Sequence, residues 1–174
     1  MVIMIVEGPD LSGKSFAIEK IGKHFNSGIT IKNNYKPRQK TDSPKIYAQY
    51  WKIINLVDAY DEQQLIILDR FFPSQAVYSY MRGEDHMDYQ EIIALDKWAK
   101  ENDFIYIYID TPLEVLEERY YERGDEHIKL TDLRKIKQRY DDFFESTTMM
   151  KIRIDTREQN WMHIFQKKLD EVTK

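Results

Sequence analysis

Residues 2–15, VIMIVEGPDLSGKS, constrain this chain more than any other stretch. An apolar run over residues 2–6 suits a buried strand. The chain then breaks at Gly8 and Pro9, and Gly13-Lys14-Ser15 leads directly into a helical pattern carried by Phe16, Ala17, Ile18 and Ile21. A strand, a loop of the form GxxxxGK[ST] and a helix, in that order, make a phosphate-binding loop. Gly8 and Gly13 let the backbone curl so that successive amide hydrogens point inward and form an anion-binding nest. The helix that starts near Lys14 adds its partly positive N-terminus. Lys14 brings a mobile point charge to the outer phosphates, and the Ser15 hydroxyl can hold Mg²⁺. The candidate polyphosphate-binding residues are therefore Gly8, Pro9, Asp10, Leu11, Ser12, Gly13, Lys14, Ser15 and Phe16.

The chain has 174 residues, enough for one domain with a real core, and we expect a single domain over residues 1–174. Its net charge of −4 argues against a dedicated nucleic-acid binder, which would carry a basic excess. With no cysteine there is neither a disulfide framework nor a thiolate metal site. The apolar start is too short for a signal peptide, and no run reaches transmembrane length, so a cytoplasmic protein with no membrane partner is the expectation.

Strand and helix patterns alternate along the chain, as in a parallel sheet covered on both faces. Strands are expected at 2–7, 29–32, 65–68, 104–109 and 151–154. Helices are expected at 13–25, 43–60, 73–81, 88–101, from the Asp110-Thr111-Pro112 start to Arg123, at 130–144 and at 160–172. Ligands of such sheets bind at the carboxyl ends of the strands. The residues to inspect are thus 8–15, 33–38, 69–70, 110–111 and 155–157, all polar or charged stretches.

Asp69 ends an apolar run, where an acid can hold Mg²⁺ directly or through water. Arg70, beside it, can meet a phosphate with its fork of donors. Arg38, after Pro37, either clamps a second phosphate or is a solvated loop arginine. Arg119 and Arg123 share a helix face. They are either part of a solvated, charge-paired helix or the cations of a mobile flap that closes over a transferring phosphoryl group. Tyr47, Tyr50, Trp51 and Ile54 lie at helical spacing, which favours core over a base-stacking platform. Asp141 and Asp142 read as a solvated face. The four histidines show no metal-ligand spacing.

These motifs together resemble the thymidylate kinase family of nucleoside monophosphate kinases, in the right order across nearly the whole chain. EGPDLSGKS (residues 7–15) is similar to the family's EGxDGxGKS/T loop, YKPR (35–38) to its FPxR segment, and DRFFPSQAVYS (69–79) to DRYxxSxxAYQ. ERYYERGDE (118–126) resembles the lid, IKQRYDDF (136–143) resembles RVRxxYLEL, and IDTREQ (154–159) resembles the loop beside the donor adenine. The resemblance implies a P-loop NTPase-type three-layer α/β/α fold whose five-stranded parallel sheet has the order 2-3-1-4-5. It also implies ATP and Mg²⁺ as cofactors, a small-molecule nucleotide as substrate, an acceptor-binding region at 33–60, a lid at 119–130, and a homodimer, which the family often forms.

By the same resemblance Lys14, Arg70, Arg119 and Arg123 are catalytic. Thr156 joins the ATP-binding residues, and Ser15 and Asp69 hold the metal. Asp10, Arg38, Tyr47, Trp51, Arg70, Ser74 and Tyr78 bind the acceptor, Asp10 through the sugar 3′-hydroxyl. Leu11 stands where some members carry an arginine, which favours the lid arginines. The helix over 43–60 has no arginine to read thymine, so another deoxynucleotide or a modified pyrimidine fits as well. Glu7 or Asp69 could act as a base for a hydroxyl acceptor. A nucleoside or polynucleotide 5′-hydroxyl kinase, and an ATP-binding regulatory protein without transfer activity, are the other readings the residues allow.

Overall fold

A computed structural model describes residues 2–25, 28–33, 43–59, 65–81, 89–124 and 128–173. Arg38 with the rest of YKPR, the 82–87 loop, and residues 125–127 of the expected lid lie outside the described residues. So does the side chain of Tyr47.

Five strands form one parallel sheet: β1 (Val2–Glu7), β2 (Gly28–Lys32), β3 (Leu65–Asp69), β4 (Phe104–Ile109) and β5 (Met150–Ile154). Their order is β2-β3-β1-β4-β5, as the family resemblance implies. The helices are α1 (Lys14–Phe25), α2 (Ser43–Asp58), α3 (Phe72–Met81), α4 (Tyr89–Glu101), α5 (Leu113–Arg123), α6 (Leu130–Ser146) and α7 (Trp161–Val172). Element boundaries differ from the sequence expectation by one or two residues. α6, for example, continues past Phe144 to Ser146, its end capped by the Thr147 amide on the Phe143 carbonyl at 2.9 Å.

The two-residue period of a strand sorts the core into two chemically different layers. In β4, Phe104, Tyr106 and Tyr108 face one side and Ile105, Ile107 and Ile109 the other, all buried. The aromatic side packs against α2 to α6, with Tyr106 5.4 Å from Phe143 and Tyr108 stacked on Tyr140 at 5.9 Å. The isoleucine side packs against α1 and α7, through Ala17, Ile21, Phe165 and Leu169. Each such side chain contributes about 1.5–3 kcal/mol when fully buried. Among the described residues no helix is long and apolar enough to cross a membrane.

Register decides what reaches the working edge. Val6 pairs with both Asp69 and Ile107, and Ile109 pairs with Ile154, so β1, β3, β4 and β5 end at one level. The phosphate loop, Asp69-Arg70, Asp110-Thr111 and the 155–157 turn therefore leave the sheet together.

Candidate active site

The loop between β1 and α1 has the glycines its path demands. A Cβ on Gly8 would stand 2.9 Å from the Ile109 carbonyl and 2.9 Å from Ser12 Oγ, so only glycine fits. Gly13 has φ +87° and Leu11 φ +67°, the left-handed region in which glycine is at ease and leucine is not. The strained Leu11 turn is held from outside. Arg119 Nη1 donates to the Leu11 carbonyl at 2.7 Å, and Thr111 Oγ1 donates to the Ser12 carbonyl at 2.8 Å.

Those bonds answer the question the helix pattern left open for Arg119. Among the described residues it reaches the loop instead of pairing along its own helix, and with Arg123 it lines a cleft of about 620 Å³ built on residues 9–16. Arg70 and Thr156 line the same cleft, and a Cβ on Gly13 would touch Thr156 Oγ1 at 3.4 Å. Lys14 Nζ is bound to the Asp69 carboxylate, both side chains being largely buried. Ser15, the next residue, is exposed. A hydroxyl and a carboxylate beside the loop lysine are hard oxygen donors, the chemistry Mg²⁺ takes.

Arg70 is the centre of a second cluster. Its backbone has φ +69°, an uncommon conformation for a long side chain. Its Nη2 donates to Asp10 Oδ1 at 2.5 Å, and its Nη1 donates to Ser74 Oγ at 3.0 Å and Tyr140 Oη at 2.8 Å. Tyr78 Oη donates to the other Asp10 oxygen at 2.8 Å. Asp10, Arg70, Ser74 and Tyr78 are thus brought together as one hydrogen-bonded group.

Behind it lies Glu7, which continues the Ile3–Ile5 face of β1 and is completely buried. Its Oε1 accepts the amides of Phe71 and Ser74, at 2.8 and 3.1 Å, so a carboxylate from the strand caps the start of α3. Its Oε2 accepts Ser74 Oγ at 2.5 Å and Tyr140 Oη at 3.3 Å. This corrects the reading of Glu7 as a base: it is enclosed and committed to holding Arg70's surroundings. Burial raises its pKa above the ordinary value of 4.5, against the pull of Arg70, Ser74, the Phe71 amide and Lys14.

The stability consequence has a definite sign. Glu7 binds its proton more tightly folded than unfolded, so its favourable contribution is full below pH 4.5 and is lost as pH rises through the folded value. We expect the stability of the wild type relative to Glu7→Gln to fall as pH rises above 4.5, by up to about 1.4 kcal/mol per pH unit, until Glu7 ionises in the folded protein. Urea unfolding at several pH values measures this, and a flat difference would contradict it.

The base of the arginine-bearing helix is also fixed. Lys137 Nζ lies 2.8 Å from Asp110, which precedes α5, and 2.8 Å from Asp141. Arg153 Nη1 is 3.5 Å from Asp110. Asp141 therefore belongs to a half-buried ion network and not to the solvated face its neighbour Asp142 suggested.

Trp51 is 42% exposed on α2 and is not among the cleft residues, whereas Tyr50 and Ile54 are core. Sequence reasoning missed the parts of Tyr140 and Arg157. Tyr140 lay in a stretch already singled out, but its hydroxyl acquires a partner only when α6 crosses α3. Arg157 lay in the turn after β5, and it too lines the cleft.

Sheet order, loop and cleft define the architecture of P-loop nucleotide kinases. The solved structures similar to this chain carry the same fold. One is the YorR protein from Bacillus subtilis in complex with phosphorylated GDP: 22% identity, TM-score 0.76, covering 99% of this chain and 96% of that one. Thymidylate kinase from Candida albicans follows at 16% identity and TM-score 0.68, covering 99% and 93%. Deoxyadenosine kinase from M. mycoides with bound dATP shows 15% identity and TM-score 0.64, covering 98% and 100%. No family model and no curated protein sequence matches the chain.

Proposed function

We propose that the protein is a nucleoside monophosphate kinase of the thymidylate kinase type. It transfers the γ-phosphoryl group of ATP to a deoxynucleoside monophosphate and yields the diphosphate. The observation that carries this reading is that Lys14 and Arg70, the latter bound to Asp10, line one cleft, with Arg119 and Arg123 on its wall. The amides of residues 8–15 and Lys14 would cradle the donor's phosphates. Arg70, Ser74, Tyr78 and Asp10 would receive the acceptor, with Arg38, Tyr47 and Trp51 as its further contacts in the 33–60 region.

A monophosphate has a second pKa near 6 and is already largely ionised at neutral pH, so it needs cations and no base. A hydroxyl acceptor needs a carboxylate to take its proton. Glu7 is sealed off and Asp69 is bound to Lys14, which favours the monophosphate over a nucleoside. Ser15 and Asp69 would hold Mg²⁺, which when bound neutralises charge on the phosphate oxygens. Arg119 and Arg123, brought over the transferring group by the 119–130 lid, stabilise its equatorial oxygens and exclude water.

The test is a panel of the common deoxyribo- and ribonucleoside monophosphates and nucleosides, each with ATP and Mg²⁺, scored by the phosphorylated product. We expect a diphosphate from at least one monophosphate. Product from nucleosides alone would move the reading to a nucleoside kinase. ATP binding with no product from any acceptor would move it to a regulatory protein. As in the family it resembles, the protein would be cytoplasmic and homodimeric, and light scattering tests the latter.

A further inference from the structure

We propose that Thr111 is a positioning residue of the phosphate loop: its hydroxyl turns the Ser12–Gly13 peptide so that the Gly13 amide faces the donor's phosphates. The inference deepens the kinase reading and rests on it. An anion nest needs its amide hydrogens on one side of the loop, and backbone conformations that alternate in hand produce that arrangement. The loop has the alternation. Leu11 at φ +67° and Gly13 at φ +87° are left-handed, and Ser12 between them is not. Amides gathered inward send carbonyls outward, because the C=O and N–H of one trans peptide point opposite ways. Carbonyls sent into the protein need donors of their own.

The stretch from the end of β4 into α5 supplies them. Thr111 Oγ1 donates to the Ser12 carbonyl at 2.8 Å, and Arg119 Nη1 donates to the Leu11 carbonyl at 2.7 Å. The two donors differ in kind. Arg119 lines the cleft and can itself meet a phosphate. Thr111 is completely buried and is not among the cleft residues, so its hydroxyl acts on a ligand only through the loop. The peptide it holds carries the Gly13 amide. Gly13 lines the cleft, and its own carbonyl accepts the Ala17 amide at 3.0 Å, which makes it the residue that opens α1. Rotating that one peptide moves an amide at the joint between the nest and the positive end of the helix.

Thr111 is itself held on both sides. Before it, the Asp110 amide donates to the Ile154 carbonyl at 2.9 Å, and the Asp110 carboxylate meets Lys137 at 2.8 Å. After it, Pro112 has its φ set by the ring, at −54°. A hydroxyl fixed in this way occupies a narrow range of positions, as a preorganised set of donors requires. A buried hydroxyl needs an acceptor in any fold, so a purely structural bond is the rival account. Stability alone would respond to a structural bond, whereas phosphate affinity responds to a positioning one.

Thermal melting and calorimetric titration with inorganic tripolyphosphate and with ATP, both with Mg²⁺, separate the two in the wild type, Thr111→Val and Thr111→Ser. Valine keeps the branched shape and loses the hydroxyl, and serine keeps the hydroxyl. We expect Thr111→Val to weaken tripolyphosphate and ATP alike, by about five- to ten-fold, with the KM of the acceptor monophosphate unchanged. Thr111→Ser should bind both within about two-fold of the wild type. In the wild type, whose folding is not in question, the Gly13 amide proton should shift downfield when tripolyphosphate is added. The inference is overturned if folded Thr111→Val binds tripolyphosphate like the wild type, whatever its melting temperature. It is also overturned if serine loses as much affinity as valine, or if tripolyphosphate binds without moving the Gly13 amide. Those outcomes sink the role of Thr111 alone. A wild type that binds neither tripolyphosphate nor ATP sinks the kinase reading with it.

Discussion

Lys14→Ala is expected to lower kcat by about three orders of magnitude while the protein stays folded. A single preorganised donor to developing charge is worth roughly 10²–10³ in rate, and Lys14 also supplies a full charge to the outer phosphates. The substitution has a second effect, because Lys14 is the partner of Asp69. Removing it strands a largely buried carboxylate, at a cost of about 1–3 kcal/mol, or a melting temperature lower by roughly 2–10 °C. Domains of this size are stable by roughly 5–15 kcal/mol, so the fold survives. The two effects separate in the double variant. Adding Asp69→Asn to Lys14→Ala removes the stranded charge and should recover most of the lost melting temperature, with no recovery of turnover. A Lys14→Ala protein that turns over like the wild type would take the loop out of the mechanism.

How much of this was legible beforehand depends on how local each signal is. The sheet was, because FIYIYI in β4 and LIIL in β3 are runs with no helical alternative and the phosphate loop pins β1 to α1. Position at a strand end was legible too, which is why Asp69 and Arg70 could be named; Thr156 was named by the motif it resembles. What a side chain does after it leaves the strand was not. Glu7 reads as a possible base at the end of a strand, yet period two places it on the aromatic side, under α3. Tyr140 and Asp141 are neighbours on α6 with opposite fates. One joins Arg70 and Ser74, the other Lys137, and both outcomes depend on helix crossings that no window of sequence encodes. Arg119 was undecided between lid and solvated helix until its bond to the Leu11 carbonyl showed which face of α5 meets the loop.

Arg70 is the residue where those non-local contacts converge, and its substitutions should separate backbone from side chain. Arg70→Ala removes the bonds to Asp10, Ser74 and Tyr140. We expect kcat/KM for the acceptor to fall about 10²–10³-fold, with the donor's affinity changed far less. Arg70→Lys should rescue little, because one ammonium cannot span Asp10 on one side and Ser74 with Tyr140 on the other as the guanidinium fork does. Arg70 also lowers the pKa of Glu7, whose nearest guanidinium nitrogen is 3.8 Å away. Without it that carboxyl holds its proton to higher pH, and the variant's stability loss should be larger at pH 8 than at pH 4, where Glu7 is protonated folded and unfolded alike. The backbone points the other way. At φ +69° an alanine is strained and a glycine is not, so Arg70→Gly should be about 1 kcal/mol more stable than Arg70→Ala while equally inactive. Kinetics with both substrates varied, and unfolding at the two pH values, measure all of this. Should Arg70→Ala raise the KM of ATP and spare the acceptor, Arg70 would belong to the donor's side of the cleft, and the acceptor site built around it would have to be placed elsewhere.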